Sequence, residues 1–154
     1  GVGAFPKAID NLKKYDLFER IISFVKGGNF LLGICLGMQL LFSESEEFEI
    51  VTGLDLINGP ISKIHTELTL PHMGWNSLNI LGNNSLTKDL SQSANVYFVH
   101  SYKASCDTKH ILATALYGES IPAIVNKENI YGCQFHPEKS QKWGEIIIKN
   151  FMNL

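Results

Sequence analysis

The chain has 154 residues, of which 45% are apolar, and a formal net charge of −2 at pH 7, so it can bury one substantial hydrophobic core. It has no apolar stretch as long as a membrane span, no basic block that would favour nucleic acid, and no signal-peptide layout at its start. Three cysteines without CxxC spacing fit neither a disulfide framework nor a zinc site. Composition therefore predicts one soluble cytoplasmic domain over residues 1–154, with no metal, no membrane and no nucleic acid.

The first predicted element is a helical region over residues 6–26. Its apolar residues follow helical spacing, which is interrupted near Tyr15. Asp16 followed by Glu19 predicts a capping box that restarts the helix, and Gly27 with the next glycine predicts its end. Residues 30–34 then form a short continuous apolar run, which is typical of a buried parallel strand. Residues 38–43 return to a helical pattern.

The remaining elements are mostly predicted strands, ending with one helix. Segments 61–64 and 75–80 alternate in polarity within a stretch rich in Gly, Pro and Asn, which indicates strands and hairpins. Four further strands are expected at 96–102, 111–116, 123–126 and 130–135. A closing helix over 141–152 places Trp143, Ile147 and Phe151 on one face. Helices around a central set of apolar strands predict a three-layer α/β sheet, whose ligands sit at the carboxyl ends of the strands.

Cys35 lies between two glycines, in the sequence GICLG, where the strand pattern gives way to the helix pattern. This spacing has the logic of the G-x-S-x-G turn, in which small neighbours let a nucleophile project from a strained bend. We expect the amides of the following helix to lower the pKa of the thiol, and Leu36 N–H to face an oxyanion. A buried structural cysteine is the alternative. The other cysteines, Cys106 and Cys133, lack this setting.

His136 is the first candidate for the base that a thiol nucleophile needs. The sequence QFHPE ends a predicted strand and places Glu138 two residues from the imidazole. Pro137 breaks the strand pairing there, so both side chains can turn toward one site, where the carboxylate can fix the imidazole tautomer. The alternative is a surface His-Pro turn with a solvated glutamate. Together with Cys35, the segment predicts a Cys-His-Glu triad.

Four segments, GICLGMQLLF, PHMGWN, YFVHSY and YGCQFHPEKS, occur in that order along the chain. With them the chain resembles the triad-type (class I) glutamine amidotransferases, specifically the glutaminase subunit of imidazole glycerol phosphate synthase. The opening GVGAF is similar to the oxyanion segment of that family. The resemblance implies the three-layer, flavodoxin-like α/β fold of the class, with a mixed, mainly parallel central sheet. In the family further residues precede this segment, so we expect a domain that is incomplete at the N-terminus and lacks the first strands.

The resemblance also implies roles for individual residues. Cys35 would attack the side-chain amide of glutamine to give a γ-glutamyl thioester and ammonia, while His136 would shuttle protons and Glu138 would orient it. Gly3 would join Leu36 in the oxyanion hole. No cofactor is implied. The amino-acid end of glutamine would be held by Gln39, His100, Ser101 and Tyr102.

The partner implied by the resemblance is the cyclase subunit, a (β/α)₈ barrel that forms imidazole glycerol phosphate and AICAR in histidine biosynthesis. Trp75, Asn76 and Lys139 are the expected interface residues of this heterodimer. Ammonia is largely protonated at neutral pH and then a poor nucleophile, so direct delivery to a second active site is chemically reasonable. Glutaminase activity is expected to be low in the isolated subunit and to rise with the partner.

Two other functions fit the same motifs. A paralogous amidotransferase would supply ammonia to a sugar-modifying enzyme of surface-polysaccharide synthesis, and the triad does not separate it from the histidine enzyme. A catalytically inactive relic would bind a partner without turnover. Intact Cys35, His136 and Glu138 argue against the relic, whereas the expected truncation argues for it.

Overall fold

The computed structural model describes residues 3–154, so the first two residues of the GVGAF segment lie outside the described part of the chain. Two short 3-10 helices occur at Thr108–His110 and Pro137–Lys139. The α-helices are α1 (Phe5–Lys14), α2 (Leu17–Lys26), α3 (Leu36–Gln39) and α4 (Gln141–Met152). The strands are β1 (Leu31–Ile34), β2 (Phe42–Ser45), β3 (Val51–Thr52), β4 (Ile57–Lys63), β5 (His72–Ser77), β6 (Asn79–Ile80), β7 (Asn95–His100), β8 (Tyr102–Ala104), β9 (Ile111–Tyr117), β10 (Glu119–Lys127) and β11 (Ile130–Cys133).

The central sheet has the strand order β1-β11-β10-β9-β6. Strand β1 runs parallel to β11, with Gly33 opposite Gly132, whereas the other neighbouring strands pair antiparallel. A second sheet has the order β3-β2-β4-β8, and β5 pairs with β7 in a separate two-stranded sheet. The carboxyl ends of β1 and β11 are therefore adjacent, and they carry the GICLG and QFHPE segments.

Two apolar cores cover opposite faces of the central sheet, as alternating side chains of a strand require. Val125 and Ile130 face the first core, which α1, α2, α3 and the second sheet complete. Ile124 and Cys133 face the second core, which includes α4 through Ile147 and the β5–β7 pair through Phe98. The chain thus forms three layers with the central sheet in the middle, and the predicted α/β class is confirmed.

The predicted mixed sheet is also confirmed, although its antiparallel share is larger than expected in the described residues. The reason is connection length: β9 and β10 are joined through Gly118 alone, and β10 and β11 through two residues. Connections this short can only join antiparallel neighbours. The expectation of further strands concerns chain before residue 1 and stays a prediction.

Two local predictions were wrong. The capping box at Asp16 does not form, because Asp16 adopts a left-handed conformation with φ 56° and its side chain caps nothing. An N-cap residue needs an extended backbone for its side chain to reach the first amides. The predicted helix over 38–43 ends at Gln39, and Phe42–Ser45 is strand β2, because this short apolar run pairs with β4 instead. The closing helix was predicted with its observed bounds.

Candidate active site

Cys35 occupies a strained bend between β1 and α3. Its backbone angles are φ 52° and ψ −112°, a region that non-glycine residues rarely adopt. A Cβ on Gly33 would lie 2.5 Å from the Gly37 carbonyl oxygen, so only glycine fits there. A Cβ on Gly37 would meet nothing within 4 Å. Steric crowding therefore requires glycine at Gly33, the first glycine of GICLG, but not at Gly37, the second.

The strand ends hold Cys35 in place. Its backbone N–H donates to the carbonyl oxygen of Cys133 at 2.7 Å, which extends the parallel β1–β11 pairing by one residue. Its sulfur lies 3.8 Å from the Val99 carbonyl oxygen, and the Gln134 side-chain amide donates to it at 3.9 Å. The Cys35 sulfur, which follows β1, therefore lies against Val99 of β7 and Gln134, the residue after β11.

The pKa of the Cys35 thiol is raised, so the predicted lowering was wrong for this structure. Burial is the largest cause, and the negative charge of Glu138 raises the pKa further. A hydrogen bond from the Leu36 backbone N–H and the positive charge of Lys139 oppose this effect. Only 6% of Cys35 is exposed. The free-energy cost of ionising a buried thiol outweighs the stabilisation of the thiolate by the Leu36 amide.

His136 and Glu138 form the predicted pair. His136 Nδ1 lies 2.6 Å from Glu138 Oε1, and the His136 backbone N–H donates to the Tyr97 carbonyl oxygen on β7 at 2.9 Å. Burial raises the pKa of Glu138, but the hydrogen bond with His136 and the charges of His136 and Lys139 lower it below its ordinary value. Among the described residues, the buried Nε2 of His136 has no hydrogen-bond partner. The ring thus has one nitrogen fixed by a carboxylate and one unpaired.

A cavity of about 280 Å³ opens beside the sulfur. Its volume suits a free amino acid better than a larger ligand. His136 is not among the residues that line it. The lining residues are Gly3, Cys35, Leu36, Gln39, Glu47, Val99, His100, Ser101 and Tyr102. Both predicted oxyanion residues and all four predicted glutamine-binding residues therefore border one space.

Gln39 is turned inward rather than toward open space. It is 6% exposed, and its Nε2 donates to the Tyr102 carbonyl oxygen at 3.0 Å and to Gln134 Oε1 at 3.1 Å. Its Nε2 is therefore occupied within the chain, which leaves its carbonyl oxygen as the group with capacity to accept a hydrogen bond. The strand junction at Tyr102 fixes this arrangement, because β8 pairs there with β4.

His100 is engaged in a buried chain of hydrogen bonds. Its Nδ1 lies 2.8 Å from the Tyr102 carbonyl oxygen, so this nitrogen carries the proton, and its Nε2 accepts from His72 Nδ1 at 3.0 Å. His72 Nε2 in turn accepts from the Asn76 side-chain amide at 3.1 Å. Burial lowers the pKa of both histidines to about 4, so both rings are neutral at pH 7. Because both ring nitrogens are taken, His100 can contact a ligand only through its other atoms.

The three predicted interface residues lie at the β5–β7 pair, but they differ in orientation. Trp75 is 47% exposed and packs edge-on against Tyr97, with ring centroids 6.0 Å apart. Lys139 is exposed, and its Nζ lies 5.7 Å over the same ring. Asn76 points to the opposite face, where its amide donates to His72 and to the Leu116 carbonyl oxygen. Trp75 and Lys139 therefore share one exposed face, and Asn76 belongs to the buried chain.

Three residues near the sulfur were missed by the sequence analysis. Glu47 lines the cavity and accepts a hydrogen bond from the Phe5 backbone N–H at 2.7 Å. Val99 contributes its carbonyl oxygen, which no side-chain pattern predicts. Gln134 was quoted within QFHPE but given no role, although it is fully buried. The signal available in the sequence was a glutamine two residues before the predicted catalytic histidine.

All three cysteines are free. Within residues 3–154, no cluster of three His, Cys, Asp or Glu side chains is arranged to hold a metal ion. The same residues contain no helix with the length and apolar character needed to cross a membrane.

Comparison with protein families gives a match over residues 10–154 to the family described as glutamine amidotransferase class-I. Among curated proteins, the chain is similar to imidazole glycerol phosphate synthase subunit HisH of Lactococcus lactis subsp. lactis (strain IL1403), with 50% identity over 153 residues, 99% of this chain and 76% of the relative. The subunit of the same name from Bacillus cereus (strain ATCC 10987 / NRS 248) is 47% identical over 151 residues, 98% of this chain and 72% of the relative.

Solved structures show the same fold. A glutamine amidotransferase superposes with a TM-score of 0.73 at 16% identity, covering 98% of this chain and 74% of its own. PurLQS from Thermotoga maritima superposes with a TM-score of 0.69 at 15% identity, covering 89% of this chain and 67% of its own. At these identities the likeness concerns the fold alone.

Proposed function

The chain belongs to the class I glutamine amidotransferases and, within them, to the HisH subunits of imidazole glycerol phosphate synthase, and from this premise we propose that it hydrolyses glutamine and supplies the ammonia for histidine biosynthesis. The observation that carries the proposal is the position of Cys35, on a strained bend that borders an amino-acid-sized cavity. The nearby His136–Glu138 pair provides the acid–base group that a thiol nucleophile needs.

The first half of the proposed reaction forms a thioester. The Cys35 thiol gives its proton to the unpaired Nε2 of His136, and the thiolate sulfur attacks the carboxamide carbon of the glutamine side chain. The resulting oxyanion accepts a hydrogen bond from Leu36 N–H, with Gly3 at the same edge of the cavity. His136 then protonates the nitrogen, the C–N bond breaks and ammonia leaves.

The second half releases glutamate. Water gives a proton to His136 Nε2 and adds to the thioester carbon. The C–S bond then breaks, and the departing sulfur takes the proton back from His136, which regenerates the Cys35 thiol and neutral His136. Glu138 keeps Nε2 as the reactive nitrogen by holding Nδ1 at 2.6 Å. The raised pKa of Cys35 favours the neutral thiol before substrate binds, which supports low glutaminase activity in the isolated chain.

Substrate binding follows from the cavity lining. The carboxylate of Glu47 is suited to the α-ammonium group of glutamine, because it is the acidic residue that borders the cavity. Gln39 and the chain from His100 to Tyr102 form the opposite wall, where the Gln39 carbonyl oxygen can accept from the ligand. No step of this mechanism requires a cofactor.

The proposed partner is the cyclase subunit, a (β/α)₈ barrel, in a heterodimer located in the cytoplasm. The exposed face that carries Trp75, Tyr97 and Lys139 supports this proposal, because large aromatic and basic side chains favour interfaces. The Val99 carbonyl oxygen, on the same strand as Tyr97, faces the Cys35 sulfur. Ammonia released there would be close to the partner. No observation favours the surface-polysaccharide alternative over this one.

The test is a glutaminase assay of the full chain with the cyclase subunit and its ribonucleotide substrate. Cys35→Ala is expected to abolish the glutamate produced, whereas Cys106→Ala, which changes a cysteine outside the cavity, should keep native turnover. Glutamate production that survives Cys35→Ala would exclude Cys35 as the nucleophile. Absence of turnover in the native complex would favour the inactive relic.

A further inference from the structure

Gln134 is a buried side chain beside the Cys35 sulfur to which the mechanism above gives no role. It is fully buried, at the residue that follows β11, and two residues before His136. Its side-chain Nε2 is 3.9 Å from Cys35 Sγ, and its Oε1 accepts from Gln39 Nε2 at 3.1 Å. Both ends of the amide are therefore engaged within the site.

The orientation of this amide is dictated by its neighbours. Gln39 Nε2 is identified as the donor because it lies 3.0 Å from the Tyr102 carbonyl oxygen, which can only accept. The Gln134 atom next to Gln39 Nε2 must then be the carbonyl oxygen, since two amide groups cannot donate to each other. The Gln134 N–H group is thereby directed at the sulfur.

We propose that Gln134 is a positioning residue for the nucleophile, holding the Cys35 sulfur and donating to it when it ionises. This inference rests on the proposed function, in which Cys35 attacks glutamine as a thiolate. A thioether or alkyl side chain of equal volume would fill the space without offering a donor. Hydrogen bonds to charged groups are stronger than those to neutral ones, so the amide favours the thiolate over the thiol.

Other groups also affect the ionisation of the same sulfur, and they are unchanged when Gln134 is replaced. The charge of Glu138 disfavours the thiolate, and the charge of Lys139 and the Leu36 amide favour it. The hydrogen bond with His136 keeps the Glu138 carboxylate in position. None of these groups is hydrogen-bonded to the Gln134 amide. Gln39 is, through Gln134 Oε1, but Gln39 is uncharged, so replacing Gln134 leaves the charges around the sulfur unchanged.

The experiment measures the alkylation rate of Cys35 by iodoacetamide across pH in the full chain, with the modified peptide quantified by mass spectrometry. In Gln134→Met the midpoint of the rate profile is expected to rise by about one pH unit. The matched control is Cys133→Ala, an equally buried neighbour whose side chain faces the second core, and its midpoint should equal the native one. A native midpoint in Gln134→Met would overturn the proposal.

A second measurement needs no variant and decides the matter if Gln134→Met does not fold. In ¹⁵N-labelled native chain, the side-chain amide resonances of Gln134 should shift with pH at the midpoint found for Cys35 alkylation. Resonances that stay constant through that midpoint would overturn the proposal. Neither measurement uses glutamine or a partner, so failure of the glutaminase assay leaves both readouts intact and distinguishable.

Discussion

Single residues decide the bend that presents Cys35. The positive φ of Cys35 is a conformation that costs free energy, and the surrounding backbone must impose it. It does so through the 2.7 Å hydrogen bond from Cys35 N–H to Cys133 and through the close approach of α3 to Gly33. The two glycines of GICLG are thus unequal, although the sequence pattern treats them alike.

At Gly33, substitution by alanine is expected to destabilise the chain, because its Cβ would lie 2.5 Å from the Gly37 carbonyl oxygen. Overpacking of this kind costs about 1–3 kcal/mol in the free energy of unfolding. Gly37→Ala is the matched control, and its Cβ meets no atom within 4 Å, so it should be neutral or slightly stabilising. Urea unfolding of both variants measures the difference. Equal stability of the two would contradict the steric argument.

Strand β7 is the element that assembles the site. Its Tyr97 carbonyl oxygen accepts from the His136 backbone, its Val99 carbonyl oxygen faces the Cys35 sulfur, and its last residue, His100, leads into the buried histidine chain. Strand β5 supplies the partner ring, His72, which stacks on Phe98. A single extended segment therefore places both predicted catalytic groups through its backbone.

The histidine pair of β5 and β7 predicts a pH dependence of stability. Burial lowers the pKa of His72 and His100 to about 4 in the folded chain, against an ordinary value of 6.5. Between these values the unfolded chain binds protons that the folded chain does not. The free energy of unfolding should therefore fall by on the order of a few kcal/mol as pH decreases from 6.5 toward 4. Above pH 6.5 the full contribution of the two neutral histidines to stability is retained.

Urea unfolding at several pH values between 6.5 and 5, above the range where most carboxyl groups titrate, checks this prediction. His72→Asn removes one titrating ring while keeping an amide donor toward His100. The free energy of unfolding of this variant should therefore decline less steeply with falling pH than that of the native chain. The exposed His65 provides the control, and His65→Gln should retain the native decline. A free energy of unfolding that is flat over this range in the native chain would refute the interpretation.

At the scale of the whole molecule, the cavity and the exposed aromatic face lie on neighbouring parts of the β5–β7 pair. Trp75 and Lys139 flank Tyr97 on the solvent side, and the adjacent Val99 carbonyl oxygen faces the sulfur. A partner bound to this face would sit directly above the site of ammonia release. If the proposed cyclase subunit binds here, partner binding and the reaction would be coupled without any long-range change of structure.

Trp75→Ala is expected to weaken binding of the cyclase subunit about tenfold or more, because exposed tryptophans at interfaces commonly contribute most of the binding energy. Phe24→Ala is the control, since Phe24 is 49% exposed, close to the 47% of Trp75, but lies on α2. Isothermal titration calorimetry with the cyclase subunit gives both dissociation constants. An equal loss of affinity in the two variants would show that this face is not the interface.

The sequence by itself determined the α/β class, the family and the closing helix, and it predicted most of the residues that line the cavity. These follow from local patterns: a glycine-flanked cysteine, a His-Pro-Glu strand end and helical spacing near Trp143 are each contained in a few consecutive residues. The start of strand β2 was predicted as the end of a helix, because a segment this short is compatible with either structure until β4 pairs with it.

Only the tertiary structure decided how the site works in detail. The thiol pKa depends on how deeply Cys35 is buried and on the charge of Glu138, which is far away in the sequence, so a local pattern predicted the direction of the shift wrongly. The orientation of Gln134 depends on Gln39 and Tyr102, which come from other elements. The physical reason is the same in both cases: desolvation and hydrogen-bond direction are properties of a residue's three-dimensional surroundings, which chain neighbours alone do not supply.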